Sequence, residues 1–370
     1  MEGIAFGKMI FYKDEKYNFV EFFNEENGFY LRSNVICDNA ETEIEATMRS
    51  FPELLDIGIM GTCMACESGI CKMAGIDCYQ NASLNKRTNM SVEAYRRIIK
   101  QCKNKVFQVA LGGSGDPNKH ESFEEILQIT RENNIVPNLT TSGFQITQNE
   151  VDLIKKYCGA VAVSYYSNLK DNKETNPITI NAIKTLVSAG CKTNIHYVIS
   201  KKNIEEAIYR VKYDLFPESI NAIVFLLYKP VGLGQKEFVL TANDSLYIEF
   251  IKLVTSRQYR YKIGFDSCQT PALNIYADAV SSQSLEWCES SRFSMYIDCN
   301  CIAYPCSFGQ GNSEYSFDLN NETIEDAWNS KQFNLFRERQ SAICSGCNQV
   351  ACYNCALDLD INVCGKTNLS

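Results

Sequence analysis

Six short apolar runs, separated by helical patterns, constrain this chain more than any other feature. They are "LLDIGIM" (54–60), "VFQVALGG" (106–113), "IVPNLTTSG" (135–143), "AVAVSYY" (160–166), "TNIHYVI" (193–199) and "NAIVFLLY" (221–228). Near-continuous apolar strands of this kind belong to a parallel sheet whose outer face is covered by helices. Between the runs, apolar residues recur three and four apart, as in "SVEAYRRIIKQCKNK" and "SFEEILQITRENN". Ser91 is placed as the N-cap of the first of these helices, and Ser122 with Glu125 as the capping box of the second. Six units are too few for a closed eight-stranded barrel, so residues 51–265 are expected to form an open, partial (β/α)6 TIM-like barrel. In such a barrel the chemistry sits in the loops that follow the strands.

The flanks read differently. Residues 1–50 alternate like a small β-hairpin extension with a turn at Asn27-Gly28. Residues 266–370 are loop-rich and show little periodicity, yet they hold ten of the chain's eighteen cysteines. A segment of that size can hardly bury a core of its own, so something else must staple it.

Charge and targeting signals narrow the class. A net charge of −8 argues against a nucleic-acid backbone as partner. The longest apolar run is too short to span a membrane, and the N-terminus lacks the parts of a signal peptide, which points to the cytoplasm. Thiols stay reduced there, and so many cysteines then indicate metal more than disulfides. Two C-x-x-C pairs in "CSGCNQVACYNC" (344–355) suit ligands interleaved between two iron–sulfur centres, with a zinc ribbon as the rival reading. Only two histidines are present, and no Ser-His-Asp arrangement is visible.

The loop after the first run is the densest. "GTCMACESGICKMAGIDCYQNAS" carries Cys63, Cys66, Cys71 and Cys78, the last followed by Tyr79. Three further strand-end loops carry small-ligand signals. They are "GGSGDP" (112–117), where glycine permits close backbone approach, "TTSG" (140–143), and Ser164 with Ser167. Together these motifs resemble a radical S-adenosylmethionine (SAM) enzyme with a C-terminal SPASM-type, twitch-like auxiliary-cluster domain, over residues 54–364.

The resemblance implies three [4Fe–4S] clusters and SAM. The usual C-x3-C-x2-C motif is expanded here to C-x2-C-x4-C-x6-C, and Cys63, Cys71 and Cys78 are assigned to the SAM cluster with Cys66 as the spare. Gly112, Gly113, Ser114 and Asp116 correspond to the motif that binds the SAM amino group. Thr140, Thr141 and Ser142 correspond to the strand-three loop, and Ser164 to the position near the ribose. Asn194 and His196 lie on strand five, with a buried core histidine as the alternative role for His196. In the tail the order of cysteines assigns Cys268, Cys288, Cys306 and Cys355 to one auxiliary cluster. Cys344, Cys347, Cys352 and Cys364 go to the other, with Cys299 and Cys301 as possible replacements. Cys37, Cys102, Cys158 and Cys191 read as small core residues.

The implied chemistry is formation of a 5′-deoxyadenosyl radical, hydrogen abstraction from a ribosomally made peptide, and a crosslink such as a thioether, with a reductase, flavodoxin or ferredoxin as electron donor. A peptide epimerase, or modification of another protein or a small molecule, is the alternative within the family. A zinc-stabilised binding module and an iron–sulfur electron carrier are the alternatives outside it. About eleven of the eighteen cysteines should therefore bind iron, roughly twelve irons per chain. Iron and sulfide analysis after anaerobic reconstitution checks this, and saturation near a third of that value with bound zinc would refute it.

Overall fold

The computed structural model describes residues 4–6, 9–34, 48–73, 75–166, 176–281, 284–342, 355–357, 359 and 361. The chain begins with an antiparallel sheet of four strands in sequential order, β1 (Ile4–Phe6), β2 (Met9–Asp14), β3 (Phe19–Asn24) and β4 (Phe29–Asn34). The expected hairpin turn is present: Gly28 sits at φ +72°, and its N–H donates to the Asn24 carbonyl at 2.9 Å. The extension is thus larger than one hairpin, since two more strands precede it.

The barrel follows as β5 (Leu54–Met60), the short helices α1 (Met64–Glu67) and α2 (Ile70–Met73), α3 (Val92–Cys102), β6 (Gln108–Gly113), α4 (Phe123–Glu132) and β7 (Val136–Thr141). It continues with α5 (Gln148–Tyr157), β8 (Val161–Ser164), α6 (Pro177–Ser188), β9 (Thr193–Ile199), α7 (Ile204–Tyr213), β10 (Ala222–Leu227), α8 (Ser245–Thr255) and β11 (Lys262–Phe265). All six predicted strands are present, and β11 adds a seventh in parallel with β10. Ser91 caps α3 as expected, its hydroxyl accepting the Ala94 N–H. The capping box at Ser122 and Glu125 does not form. The Ser122 N–H donates instead to His120 Nδ1 at 3.0 Å, and the Glu125 carboxylate pairs with Arg96 at 2.7 Å. A capping box is found one helix later, between Thr147 and Glu150 of α5.

After α9 (Thr270–Tyr276) the tail supplies three strands that the cysteine-rich sequence concealed: β12 (Ser294–Ile297), β13 (Ile302–Tyr304) and β14 (Phe317–Asp318). The large sheet runs β11-β10-β9-β8-β7-β6-β5-β12-β13-β14, with β12 parallel to β5. It is open, with β11 and β14 at its edges. The helices α10 (Ile324–Trp328) and α11 (Lys331–Ala342) follow β14.

One face of the sheet is packed by Leu55, Ile57, Val109, Leu111, Val161, Val163, Ile195, Tyr197, Ile223 and Phe225, all buried against the helices. The other face lines a lumen. Cross-strand register places Tyr296, Asp56, Ala110 and Asn138 side by side, and Ser164 beside His196 and Val224. The N-terminal sheet packs under the strands' N-terminal ends, where Tyr12 and Phe23 meet Phe107 and Val136. A buried ionic group reinforces this contact, with Arg49 and Glu21 at 2.9 Å and Arg32 and Glu53 at 3.0 Å.

Trp328 ties the tail to the start of the barrel. Its indole is fully buried, and its N–H donates to the Arg49 carbonyl at 2.8 Å. Trp328→Ala should cost about 3–5 kcal/mol of stability, and Trp328→Phe clearly less, as measured by urea unfolding. Equal stabilities for the two variants would contradict this packing role.

Candidate active site and cluster sites

Four loops meet at the C-terminal mouth of the barrel. The cysteine loop leaves β5 at Gly61, which is pressed against the backbone of Arg87 and Thr88; an added Cβ would lie 2.5 Å from the Arg87 carbonyl oxygen. Cys63 opens α1, and its Sγ accepts the Cys66 N–H at 3.3 Å. Cys63, Cys66, Cys71 and Cys78 are all half-buried free thiols. Burial pushes Cys63 up to about 11 and Cys71 up to about 12, and each feels the other thiols of the loop and Asp116. The four sulfurs are therefore within electrostatic reach of one another. Among the described residues, however, no three His, Cys, Asp or Glu side chains converge closely enough to hold a single metal ion. A tetrahedral zinc needs sulfurs about 2.3 Å from one centre, whereas a cluster takes them at separate corners. Thiolate donors in a loop beside a polar lumen fit an iron–sulfur cluster.

The glycine loop rests on the cysteine loop. Gly113, at φ +121°, leaves no room for a side chain, since a Cβ would lie 2.6 Å from the Met60 carbonyl oxygen; Gly115 is pressed in the same way on Thr62 and Cys63. The Ser114 N–H donates to the Met60 carbonyl at 2.9 Å. Gly112 differs, because the only neighbour its Cβ would meet is Asp56 Oδ1 at 3.9 Å. It is the glycine that leaves open space for a ligand. Asp116 is engaged with Ser142, accepting its N–H at 2.7 Å and its hydroxyl at 2.5 Å. Burial raises the Asp116 carboxyl against the pull of these bonds.

Deeper in the lumen, Thr140 Oγ1 lies 3.4 Å from His196 Nδ1. Burial lowers His196 to about 4, so at neutral pH the imidazole is uncharged and serves as a polar wall. Asn194 Oδ1 accepts Asn221 Nδ2 at 2.7 Å near the floor. Thr141 is buried; it accepts the Gly143 N–H at 3.0 Å and its side chain hydrogen-bonds Asp116, so it braces the turn and that carboxylate. Ser164 meets Tyr166, whose phenol also feels Cys71, Asp116 and Cys63. Tyr79 meets Phe308 of the tail in a tilted ring contact, with centroids 5.2 Å apart. The cysteine loop and the tail therefore touch.

The tail gathers a second thiol group. Burial raises Cys268, Cys306 and Cys355; Cys288 acts on all three, and Cys306 also feels Cys355. Gln340 Nε2 donates to Cys288 Sγ at 3.4 Å. Cys288 thus lies within electrostatic reach of the other three cysteines assigned to one auxiliary cluster, each from a separate segment. Cys299 and Cys301 lie elsewhere, beside Arg87 with Asp298 and beside Arg97 respectively. Cys344, Cys347, Cys352 and Cys364 fall outside the described residues.

Sequence reasoning missed Asp56, Tyr166, Tyr296 and Lys229. For Asp56 a signal was present, since it is the one charge in "LLDIGIM". Its carboxyl is enclosed by the lumen wall, and burial alone pushes it up to about 7, with no described group offsetting that.

The family SPASM, an iron–sulfur cluster-binding domain, matches residues 288–348. No curated protein matches the chain. Among solved structures, the chain is similar to Streptococcus suis SuiB bound to S-adenosylmethionine, at 17% identity and TM-score 0.66 over 90% of both chains. SuiB bound to its precursor peptide SuiA matches at 15% identity and TM-score 0.66, again over 90% of both chains. Native anSMEcpe with bound AdoMet matches at 16% identity and TM-score 0.53, over 77% of this chain and 82% of that one. The domain match and the shared fold agree with the resemblance read from the motifs: residues 288–348 match the SPASM iron–sulfur domain, and the chain shares the fold of these S-adenosylmethionine-bound structures. No helix among the described residues is long and apolar enough to cross a membrane.

Asp56 yields a pH test. Its folded-state value lies above the ordinary carboxylate range, so between about pH 4 and 7 the folded chain keeps a proton that the unfolded chain has released. Stability should therefore fall as pH rises through that window, and Asp56→Asn should gain on the wild type by more than about 1 kcal/mol across it. Denaturant unfolding at several pH values checks this; parallel pH profiles for the two proteins would refute it.

Proposed function

We propose that this protein is a radical SAM enzyme that abstracts hydrogen from a ribosomally made peptide and installs a crosslink, most simply a thioether. The observation that carries the reading is the presence of two thiol groups joined by the Tyr79–Phe308 contact: Cys63, Cys66, Cys71 and Cys78 at the mouth, and Cys268, Cys288, Cys306 and Cys355 in the tail. When bound to a reduced cluster, SAM supplies radical chemistry able to take hydrogen from an unactivated C–H bond.

The chain's own residues hold and orient. In this reading Cys63, Cys71 and Cys78 hold the cluster and Cys66 is the spare. Gly112 offers its open backbone to the amino group of SAM, and Ser142 keeps Asp116 fixed beside it. Thr140, Ser164, Asn194 and the neutral His196 line the lumen without adding charge. A crosslink requires a further electron to leave the substrate after the hydrogen, and the Tyr79–Phe308 contact joins the mouth to the tail's thiols. Epimerisation needs no such electron sink, which makes it the second reading.

A peptide substrate has support from two sides. The neighbouring folds include SuiB bound to its precursor peptide and anSMEcpe bound to the Cp18Cys peptide. Within this chain β4 is an edge of the N-terminal sheet and exposes Phe29 and Leu31, so an extended segment can add to it as a further strand. A flavodoxin, ferredoxin or dedicated reductase is the electron donor in this scheme.

The test is mass spectrometry of a small peptide encoded beside this chain's gene and co-expressed with it. A crosslink appears as loss of the mass of two hydrogen atoms. Cys63→Ala, Cys71→Ala and Cys78→Ala should each abolish that loss, and Cys66→Ala should keep it. An unchanged mass with inverted stereochemistry would establish epimerisation instead, and SAM cleavage triggered only by a non-peptide metabolite would remove the peptide reading.

A further inference from the structure

Two residues after β10 ends, the chain turns a lysine inward: Lys229 is 5% exposed. A buried ammonium must be paired and hydrogen-bonded. Its Nζ donates to Asp266 Oδ2 at 2.6 Å and to the Leu227 carbonyl at 2.9 Å, and sits 4.6 Å from the centre of the Phe308 ring. Asp266 is itself held in place. Its Oδ2 also accepts the Leu227 N–H at 3.1 Å, and its Oδ1 accepts Gln269 Nε2 at 3.0 Å. The pair is therefore rigid, with little freedom to turn.

Such a pair is weak evidence for stability, because desolvation consumes most of the Coulombic gain. Its direction is more informative. Lys229 acts electrostatically on Cys268, Cys306 and Cys355. Asp266 precedes Cys268 by two residues, so the pair sits beside the chain segment that carries that thiol. Phe308, whose ring lies against the ammonium, follows Cys306 by two residues, so the cation sits between the segments that carry Cys268 and Cys306. Nothing in the sheet requires a cation at this point.

We propose that Lys229, oriented by Asp266, sets the reduction potential of an iron–sulfur cluster held by Cys268, Cys288, Cys306 and Cys355. The proposal rests on reading those four cysteines as the ligands of one cluster. Reduction adds one negative charge to a site with low local dielectric, and a fixed cation beside the thiolates stabilises the reduced form more than the oxidised one. The electron comes from the titrant in the test below and from the substrate in the proposed reaction; no proton need accompany it. A raised potential suits a cluster that accepts an electron from a product radical.

The experiment is an anaerobic redox titration of the reconstituted full-length protein, followed by electron paramagnetic resonance. The relevant signal is the one that disappears in Cys306→Ala. Lys229→Met and Lys229→Gln should each cut the ratio of reduced to oxidised cluster about tenfold at a fixed potential, a downward shift of about 59 mV for one electron. Lys229→Gln keeps a hydrogen-bond donor without the charge, so agreement between the two separates charge from packing. Lys229→Arg should stay near the wild type, and Asp266→Asn should shift the midpoint upward. Opposite signs for the two partners of one ion pair are not produced by a merely structural role. Unchanged midpoints, or shifts of the same sign at Lys229 and Asp266, would overturn the proposal. Should Cys306→Ala lose neither iron nor a signal, the ligand reading beneath it fails as well, and the iron content tells the two failures apart.

Discussion

The loop that carries the mouth cysteines has only two four-residue helices and little apolar surface, so backbone contact must hold it. Glycines make that contact possible. Gly61 presses on Arg87 and Thr88, Gly113 on Met60, and Gly115 on Thr62 and Cys63. From the far side of the barrel Gly232, at φ +65°, packs on the carbonyls of Cys78 and Tyr79, where the Leu233 N–H donates to Cys78 at 3.0 Å. A Cβ at any of these positions would meet backbone rather than a movable side chain. The position of the thiols, and with it the whole mouth, depends on these close approaches.

Parallel register then decides what lies beneath the thiols. Alternate residues of each strand face the lumen, so one charge in an apolar run, Asp56, falls beside Tyr296 and Ala110. The remaining wall is polar but neutral, with Thr140, Ser164, Asn194 and an uncharged His196. Radical chemistry benefits from such a wall, which positions a substrate while offering few groups that quench or protonate it. Asp56 is the exception, and burial holds its proton well above the ordinary carboxylate range.

The tail is organised by the barrel and not by a core of its own. β12 joins β5 in parallel, and Trp328 and Phe333 fill the space beneath. This attachment delivers Cys288 and Cys306 to Cys268, which the barrel's last strand supplies directly. Phe308 and Tyr79 complete the junction. In the proposed reading, a cluster held by segments so far apart in sequence would act as a staple as well as a redox centre, because it would close long loops whose entropy the folded chain must otherwise bear.

By itself the sequence determined six of the barrel's strands and the helices that follow them, the turn at Asn27-Gly28 and the crowding of cysteines in the loop after the first barrel strand, because each is encoded by local periodicity or spacing. It did not reveal β12 to β14, which are two to four residues long and sit among cysteines and polar turns, too short to show a period. Nor did it show that Ser122 would forgo its cap for His120, a choice made by a neighbouring loop. Glycines read as ligand cradles turned out to differ, with Gly113 and Gly115 spent on packing and Gly112 left open. Only the tertiary structure decided that Thr141 braces its turn and Asp116, that Asp56 is enclosed by the lumen wall, and that Lys229 sits between the segments that carry Cys268 and Cys306. The reason is physical: periodicity says which residues are buried, whereas desolvation and charge pairing depend on which segments meet.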